Sequence, residues 1–377
     1  MAEEQHNLSI AFDIDDEYRP EPIPPPEIPR WMDGSFRIGI HTSIAGDLVH
    51  ALEIAHGLGA NTLQIFSSSP RMWARPQKGT RIGPADAQRF RERRRALGLG
   101  PVVIHDNYLI NLASPEPVLR VRSVQAFHDE IVRALQLSAD YLVMHPGSCR
   151  GRDSDEAVSM IAQSLRQAVR GIKLNGLRIL LENTAGQGSS VGSRLEELRD
   201  ILDACPELPL GVCLDTAHLF AAGHDLRTAE GFDRALAMID GTVGLDRVFV
   251  VHVNDSKVPL GSRVDRHQHI GKGRIGLEAF ARILNHPLLA GRAFILETPI
   301  DKPGDDRRNV RALWKLVGRE VKQARGVTGG FGTRKRRAGA TSRRRKAAPR
   351  HSSKSQHVLR TKRQRIARLQ KRKTRRV

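Results

Sequence analysis

Six short apolar runs in this chain each end on a histidine or a carboxylate. In order they are VVIH ending at His105, LVMH at His145, ILLE at Glu182, GVCLD at Asp215, VFVVH at His252 and FILE at Glu297. Apolar runs of this length, followed by turn-like residues, read as strands of a parallel sheet buried on both faces. A strand of that kind whose last residue can ligate a metal places the ligand at its C-terminal rim. Few folds can bring six such rims to one centre, and this pattern therefore constrains the architecture more than any other feature of the sequence.

The surrounding pattern narrows the choice. Strands are expected near residues 36–41, 62–67, 102–105, 140–145, 177–182, 210–215, 247–253 and 293–298, with amphipathic helices between them. In DLVHALEIAHGLGA, Leu48, Ala51, Leu52, Ala55 and Leu58 recur at helical spacing and Gly57 and Gly59 end the run; RLEELRDILDAC and GLEAFARILNHP behave alike. Eight strand–helix alternations predict an α/β protein with a (β/α)8 TIM barrel, whose active sites lie on the C-terminal rim of the strands. A doubly wound open sheet is the alternative, but it gathers six strand ends less readily.

Charge divides the 377 residues into three regions. The formal net charge is +20, yet residues 321–377 hold 22 Lys and Arg and no acid, leaving 39 basic and 41 acidic residues elsewhere. We expect a disordered Pro-rich leader over 1–34, the barrel domain over 35–320, and a disordered cationic tail over 321–377. The leader is acidic and lacks the basic and apolar regions of a secretory signal, and no apolar run approaches membrane-spanning length. Three cysteines (Cys149, Cys205 and Cys213) provide no disulfide framework and fit a reducing compartment. A cytoplasmic protein with no membrane partner is expected.

Beyond the six strand ends, Asp215 is followed three residues later by His218, and Asp265 and His267 flank one arginine. Taken singly, Asp215 reads as a helix cap, His218 as a surface histidine and Asp265-Arg266-His267 as an ordinary loop. His252 is stronger, because an unpaired imidazole ending a buried run would be costly. Together, five His, two Asp and two Glu are hard to explain as satisfied core residues. They exceed the needs of one ion and suggest two or three. Imidazole and carboxylate without thiolate suit zinc, manganese or iron. Such ions activate water, neutralise phosphate oxygens and stabilise a leaving oxygen. Glu182, from the central strand of the set, is placed to bridge two of them. Asn183, Thr184, Asn254 and Thr298 are of the right type to orient ligands.

The blocks HDNYLINLASP (105–115), MHPGS (144–148), LENTAGQGSSVG (181–192), GVCLDTAHLFAAGHDLRT (211–228), HVNDSK (252–257), GSRVDRHQHIGKGRIG (261–276) and ILETP (295–299), with IGIHTSIAG (38–46) and FSSSPRMW (66–73), resemble the signatures of the endonuclease IV family of apurinic/apyrimidinic endonucleases. They occur in family order over about residues 37–300. The resemblance implies a (β/α)8 barrel with three Zn2+ ions, for which Mn2+ or Fe2+ could substitute. It implies that His105, His145 and Glu182 hold the first ion, Glu182, Asp215, His252 and Glu297 the second, and His218, Asp265 and His267 the third. Glu182 would be the shared, catalytic carboxylate. The implied reaction is hydrolysis of the phosphodiester 5′ to an abasic site in double-stranded DNA, leaving a 3′-hydroxyl and a 5′-deoxyribose phosphate, as in base excision repair. An abasic nucleotide has lost its stacking and is flipped out at lower cost than a normal one. Arg71 and Tyr108 match the loop side chains that fill the gap it leaves. Ser68, Ser69 and Pro70 replace a more basic run, and Ala217 replaces a cysteine that is not a ligand. A monomer is expected. The tail would bind DNA phosphates without reading sequence and associate the chain with a bacterial-type nucleoid. Two other readings stand beside this one: a sugar-phosphate isomerase or epimerase on the same scaffold, and a nucleoid-binding protein with a catalytically dead barrel.

Overall fold

The computed structural model describes residues 36–73 and 82–319. The expected leader over 1–34 and tail over 321–377 lie outside those residues.

Eight parallel strands close into a barrel. They are β1 (Arg37–His41), β2 (Thr62–Phe66), β3 (Val102–His105), β4 (Tyr141–Met144), β5 (Arg178–Glu182), β6 (Leu210–Asp215), β7 (Val248–His252) and β10 (Ala293–Leu296), and around the barrel β10 closes the ring between β7 and β1. All eight expected strands are present. Two further strands, β8 (Asp255–Ser256) and β9 (His267–Gln268), form a separate antiparallel pair that the sequence did not announce. Nine α-helices are found among the described residues, and α1 (Leu48–Gly57), α5 (Leu195–Ala204) and α8 (Leu277–Asn285) occupy the three runs with helical spacing.

Local chemistry explains these boundaries. Helix α1 starts where the Asp47 carboxylate accepts from the Val49 N–H at 2.9 Å, and it buries Ala51, Leu52 and Ala55 at the predicted 3–4 spacing. The barrel strands are apolar because one face meets this ring of helices and the other meets the lumen. The outer face joins a large core that includes Leu52, Phe90, Phe127 and Phe280. The lumen is filled separately by Val103, Val143, Leu180, Cys213, Val250, Ala293 and Ile295.

That plug positions the site. Side chains two apart on a strand share a face. Two residues beyond Val103, Val143, Leu180, Cys213, Val250 and Ile295 stand His105, His145, Glu182, Asp215, His252 and Glu297. The six polar ends therefore form the next layer up on an apolar floor. Register staggers them around the ring: Asp215 is level with His252, but Glu182 pairs with Cys213, His105 with Val143 and His252 with Ile295, each partner lying two residues below the polar end of its own strand. Removing a floor side chain such as Leu180 by substitution to Ala would cost about 2–5 kcal/mol.

Candidate metal centre

Glu182 lies at the centre and is fully buried. Its two oxygens divide the histidines. Oε2 faces His105 Nε2 at 3.2 Å and His145 Nε2 at 3.1 Å. Oε1 faces His252 Nδ1 at 3.0 Å and His218 Nδ1 at 3.3 Å. Glu297 Oε2 approaches the same His252 nitrogen at 3.2 Å. Asp265 Oδ1 lies 3.3 Å from both His218 Nε2 and His267 Nε2, with Asp215 Oδ2 3.6 Å from the latter. All nine candidate ligands named from the sequence thus fall in one continuous cluster. Three overlapping groups within it are compact enough to hold an ion: His105, His145 and Glu182; Glu182, Asp215, His252 and Glu297; and Asp215, His218 and His267. The third contains Asp215 in addition to the expected histidines, with Asp265 on its outer, half-exposed side.

Asp215 serves two purposes. Helix α6 (Thr216–Ala222) begins directly after it, and Oδ1 caps that helix by accepting from the His218 N–H at 2.7 Å. Oδ2 accepts from Asn254 Nδ2 at 2.7 Å and faces the cluster. The helix-cap and ligand readings of Asp215 are therefore compatible, one oxygen each. The cap also sets His218 in the first turn, aimed at the rim.

Hydrogen bonds to the far side of each ring fix the tautomers. Backbone carbonyls accept from Nδ1–H of three histidines: Asp106 O from His105 at 3.0 Å, Asn183 O from His218 at 2.9 Å, and Glu297 O from His267 at 3.2 Å. Each turns Nε2 toward the carboxylates, as the nitrogen that holds a second proton or, once that proton is lost, an ion. His267 Nε2 is buried without a hydrogen-bond partner. A buried imidazole nitrogen beside two carboxylates, with a free lone pair, is an open valence of the kind a metal ion fills. The donor set thus fits divalent ions such as Zn2+.

Electrostatics agree. Burial pulls the His105 pKa down, but the adjacent Asp106 and Glu182 carboxylates outweigh it and hold the ring well above the ordinary imidazole value. Burial acts likewise on His218 and is outweighed by Asp215, Asp265 and Glu182. Glu182 is pushed up by burial, yet the imidazoles of His252, His145 and His105 keep it well below the usual carboxylate range. The cluster is a buried anionic site that calls for cations, whether protons or metal ions.

Of the four supporting residues expected, two touch the ligands. Asn183 exchanges hydrogen bonds with the Asp215 backbone, and Asn254 joins the Asp215 carboxylate to the Glu297 N–H. Thr184 and Thr298 do not: their hydroxyls meet Ser190 and Val191, and Asn309. Two residues that the sequence reading passed over, His41 and Gln64, reach the cluster from β1 and β2. A glutamine inside the buried run TLQIF was their available signal.

A fourth group, His269, Asp301 and Asp305, is also compact, but its hydrogen bonds oppose a metal. Asn309 Oδ1 accepts from the Ile270 N–H, so its Nδ2 must donate to His269 Nδ1 at 3.0 Å. The ring proton then sits on Nε2, between the two carboxylates. This group is a hydrogen-bonded cluster of one imidazole and two carboxylates.

Arg71 and Tyr108 are neighbours on the rim. The Tyr108 N–H donates to Pro70 O at 3.2 Å, and Asn107 Nδ2 ties down the carbonyls of Ser69 and Met72 at 2.9 Å each. Tyr108 is 57% exposed although its ring packs edge-on to Phe66. Arg71 and Met72 beside it are also exposed.

A closed parallel barrel with a His/Asp/Glu cluster above an apolar floor falls in the class described as xylose isomerase-like TIM barrels, and the model for that family matches residues 52–316. A probable endonuclease 4 of Solibacter usitatus is 50% identical over 289 residues, covering 76% of this chain and 98% of its own. The crystal structure of endonuclease IV from Thermus thermophilus aligns with a TM-score of 0.64 at 42% identity, over 74% of this chain and 98% of that one. The chain belongs to the endonuclease IV family. A D-tagatose 3-epimerase-like protein, at 19% identity and a TM-score of 0.55, shares the fold alone.

Proposed function

We propose that this protein is a metal-dependent DNA repair endonuclease that hydrolyses the phosphodiester 5′ to abasic sites, leaving a 3′-hydroxyl and a 5′-deoxyribose phosphate. The observation that carries this reading is the split of Glu182, whose Oε2 faces Nε2 of His105 and His145 while its Oε1 faces Nδ1 of His252, so that one carboxylate belongs to two ligand groups. A shared carboxylate with overlapping ligand groups around it suits a multi-ion phosphodiesterase better than a sugar isomerase or epimerase.

His105, His145 and Glu182 would hold one Zn2+, Glu182, Asp215, His252 and Glu297 a second, and His218, Asp265 and His267 a third, with Mn2+ or Fe2+ as substitutes. Bound there, the ions supply Lewis acidity toward water, the scissile phosphate and the departing 3′-oxygen. The chain's own residues do the rest. The apolar floor excludes water from below. The carbonyls of Asp106, Asn183 and Glu297 hold three imidazoles with Nε2 toward the ions. Arg71 and Tyr108, side by side on the rim, would enter the gap left by the flipped abasic nucleotide. The cationic segment 321–377 would add sequence-independent attraction to duplex phosphates, and a cytoplasmic, nucleoid-associated monomer fits that role.

The test is incision of a synthetic duplex carrying one abasic site. We expect cleavage on its 5′ side, abolished by chelation and reduced by Glu182→Ala to the level of the chelated protein. A preparation fully loaded with zinc that leaves the duplex intact overturns the reading. A barrel that only binds DNA would lose all function on deletion of 321–377, whereas the endonuclease would keep incision.

A further inference from the structure

Four candidate ligand histidines, His105, His145, His218 and His267, present Nε2 to a cluster carboxylate, His218 turning Nδ1 to Glu182 as well; His252 presents Nδ1 alone, to two carboxylates. The reason lies in β2. Gln64 is fully buried, and its side chain enters the lumen between β1 and β10 on one side and β7 on the other. Its Nε2 lies 2.5 Å from Glu297 Oε1 and 3.0 Å from His41 Nδ1, and its Oε1 lies 2.8 Å from His252 Nε2. An ionised carboxylate only accepts, so the NH2 group must face Glu297 and the carbonyl must face His252. A carbonyl only accepts, so His252 must carry its proton on Nε2. Its Nδ1, 3.0 Å from Glu182 Oε1 and 3.2 Å from Glu297 Oε2, is therefore the nitrogen available to an ion. The second N–H of the amide goes to His41, which fixes the amide plane.

We infer that Gln64 is a positioning residue for the second ion: one amide selects the ligating nitrogen of His252 and holds one oxygen of Glu297 aside, leaving the other for the ion. Without it, the His252 proton can move to Nδ1 and bond directly to Glu182 and Glu297, occupying the place of the metal. No other amide among the described residues joins the side chains of Glu297 and His252 by hydrogen bonds. The inference rests on the proposed metal centre and adds to it a residue that ligates nothing.

The experiment reads metal retention, not activity. Full-length wild type, Gln64→Met and Gln64→Glu are loaded with zinc and dialysed against graded chelator, and bound zinc is counted. Met keeps the volume and removes both hydrogen bonds. Glu keeps the acceptor for His252 but cannot donate to Glu297. We expect wild type to retain its full complement, while both variants release one ion selectively at chelator strengths lower by about 10–100-fold, Gln64→Met the more readily. Nitrogen NMR of the zinc-loaded protein should show the Nε2–H tautomer of His252 in wild type, with the signal altered in Gln64→Met. Release curves identical to wild type in the folded variants overturn the inference. Loss of all three ions together, with a lowered unfolding midpoint of the ion-free protein, also overturns it by reducing Gln64 to a structural role. Should Gln64→Met fail to fold, Gln64→Glu decides alone. Wild type that takes up no zinc fails differently, since it removes the metal centre itself.

Discussion

At the scale of single residues, the cluster combines legible and hidden chemistry. His105, His145, Glu182, Asp215, His252 and Glu297 could be read from the chain because each is a polar end to an apolar run, and burying such a group without a partner is expensive. Gln64 sits in an equally buried run, but an amide is not a metal ligand, and its value depends on three partners from β1, β7 and the end of β10 that sequence does not place together. Thr184 and Thr298 were right in type and wrong in contact, because a hydroxyl bonds whatever its loop brings near. Asp215 offers a separable test. Asp215→Asn keeps an oxygen to cap α6 but turns an NH2 group toward Asn254 Nδ2, which cannot reverse because Asn254 Oδ1 accepts from the Glu297 N–H. Two buried donors then face each other, at a cost of about 1–3 kcal/mol. The double variant Asp215→Asn with Asn254→Asp restores an acceptor opposite the donor. Urea unfolding of the ion-free proteins should show the single change destabilising and the double change recovering. Equal midpoints for wild type and Asp215→Asn would remove the dual role of Asp215.

At the scale of elements, the barrel strands were legible and the rim hairpin was not. Strands buried on both faces announce themselves as apolar runs, but β8 and β9 contribute two residues each, too few for any periodicity. Yet that pair returns His267 to the rim, with the Lys257 N–H donating to Arg266 O at 2.9 Å. A single buried carboxylate organises the returning chain. Asp255 accepts from Ser256 and Ile275 at Oδ1, 2.8 and 2.9 Å, and from Gly271 and Gly273 at Oδ2, 2.9 and 3.0 Å. A Cβ at Gly273 would lie 2.4 Å from Asp255 Oδ1, so glycine is required where the backbone wraps the carboxylate. Asp255→Asn replaces one acceptor by a donor and strands two backbone N–H groups, roughly 1–3 kcal/mol each. Limited proteolysis should then open the 257–276 segment first, and the ion facing His267 should be released at lower chelator strength. An unchanged cleavage pattern would show that Asp255 does not hold this loop.

At the scale of the whole molecule, the excess charge and the candidate catalytic chemistry occupy different parts of the chain. The 22 basic residues of 321–377 confront no acid within their own segment, while the remainder is nearly neutral. If the tail binds phosphates, deleting it should flatten the fall of DNA affinity with salt, by about 0.9 log unit per log unit of salt for each phosphate no longer neutralised. Incision at low salt should persist. A truncated protein with the full salt slope would assign the phosphate binding to the barrel. The lumen has its own consequence at this scale. Val103, Val143, Leu180, Cys213, Val250 and Ile295 close the lumen beneath the ligands, and the cluster meets solvent at the rim, through His145, Asp265, His267 and Glu297. Anything that covers the rim becomes a stopper, and a bound duplex would trap the ions beneath it, slowing their exchange with the surrounding solution until the product departs.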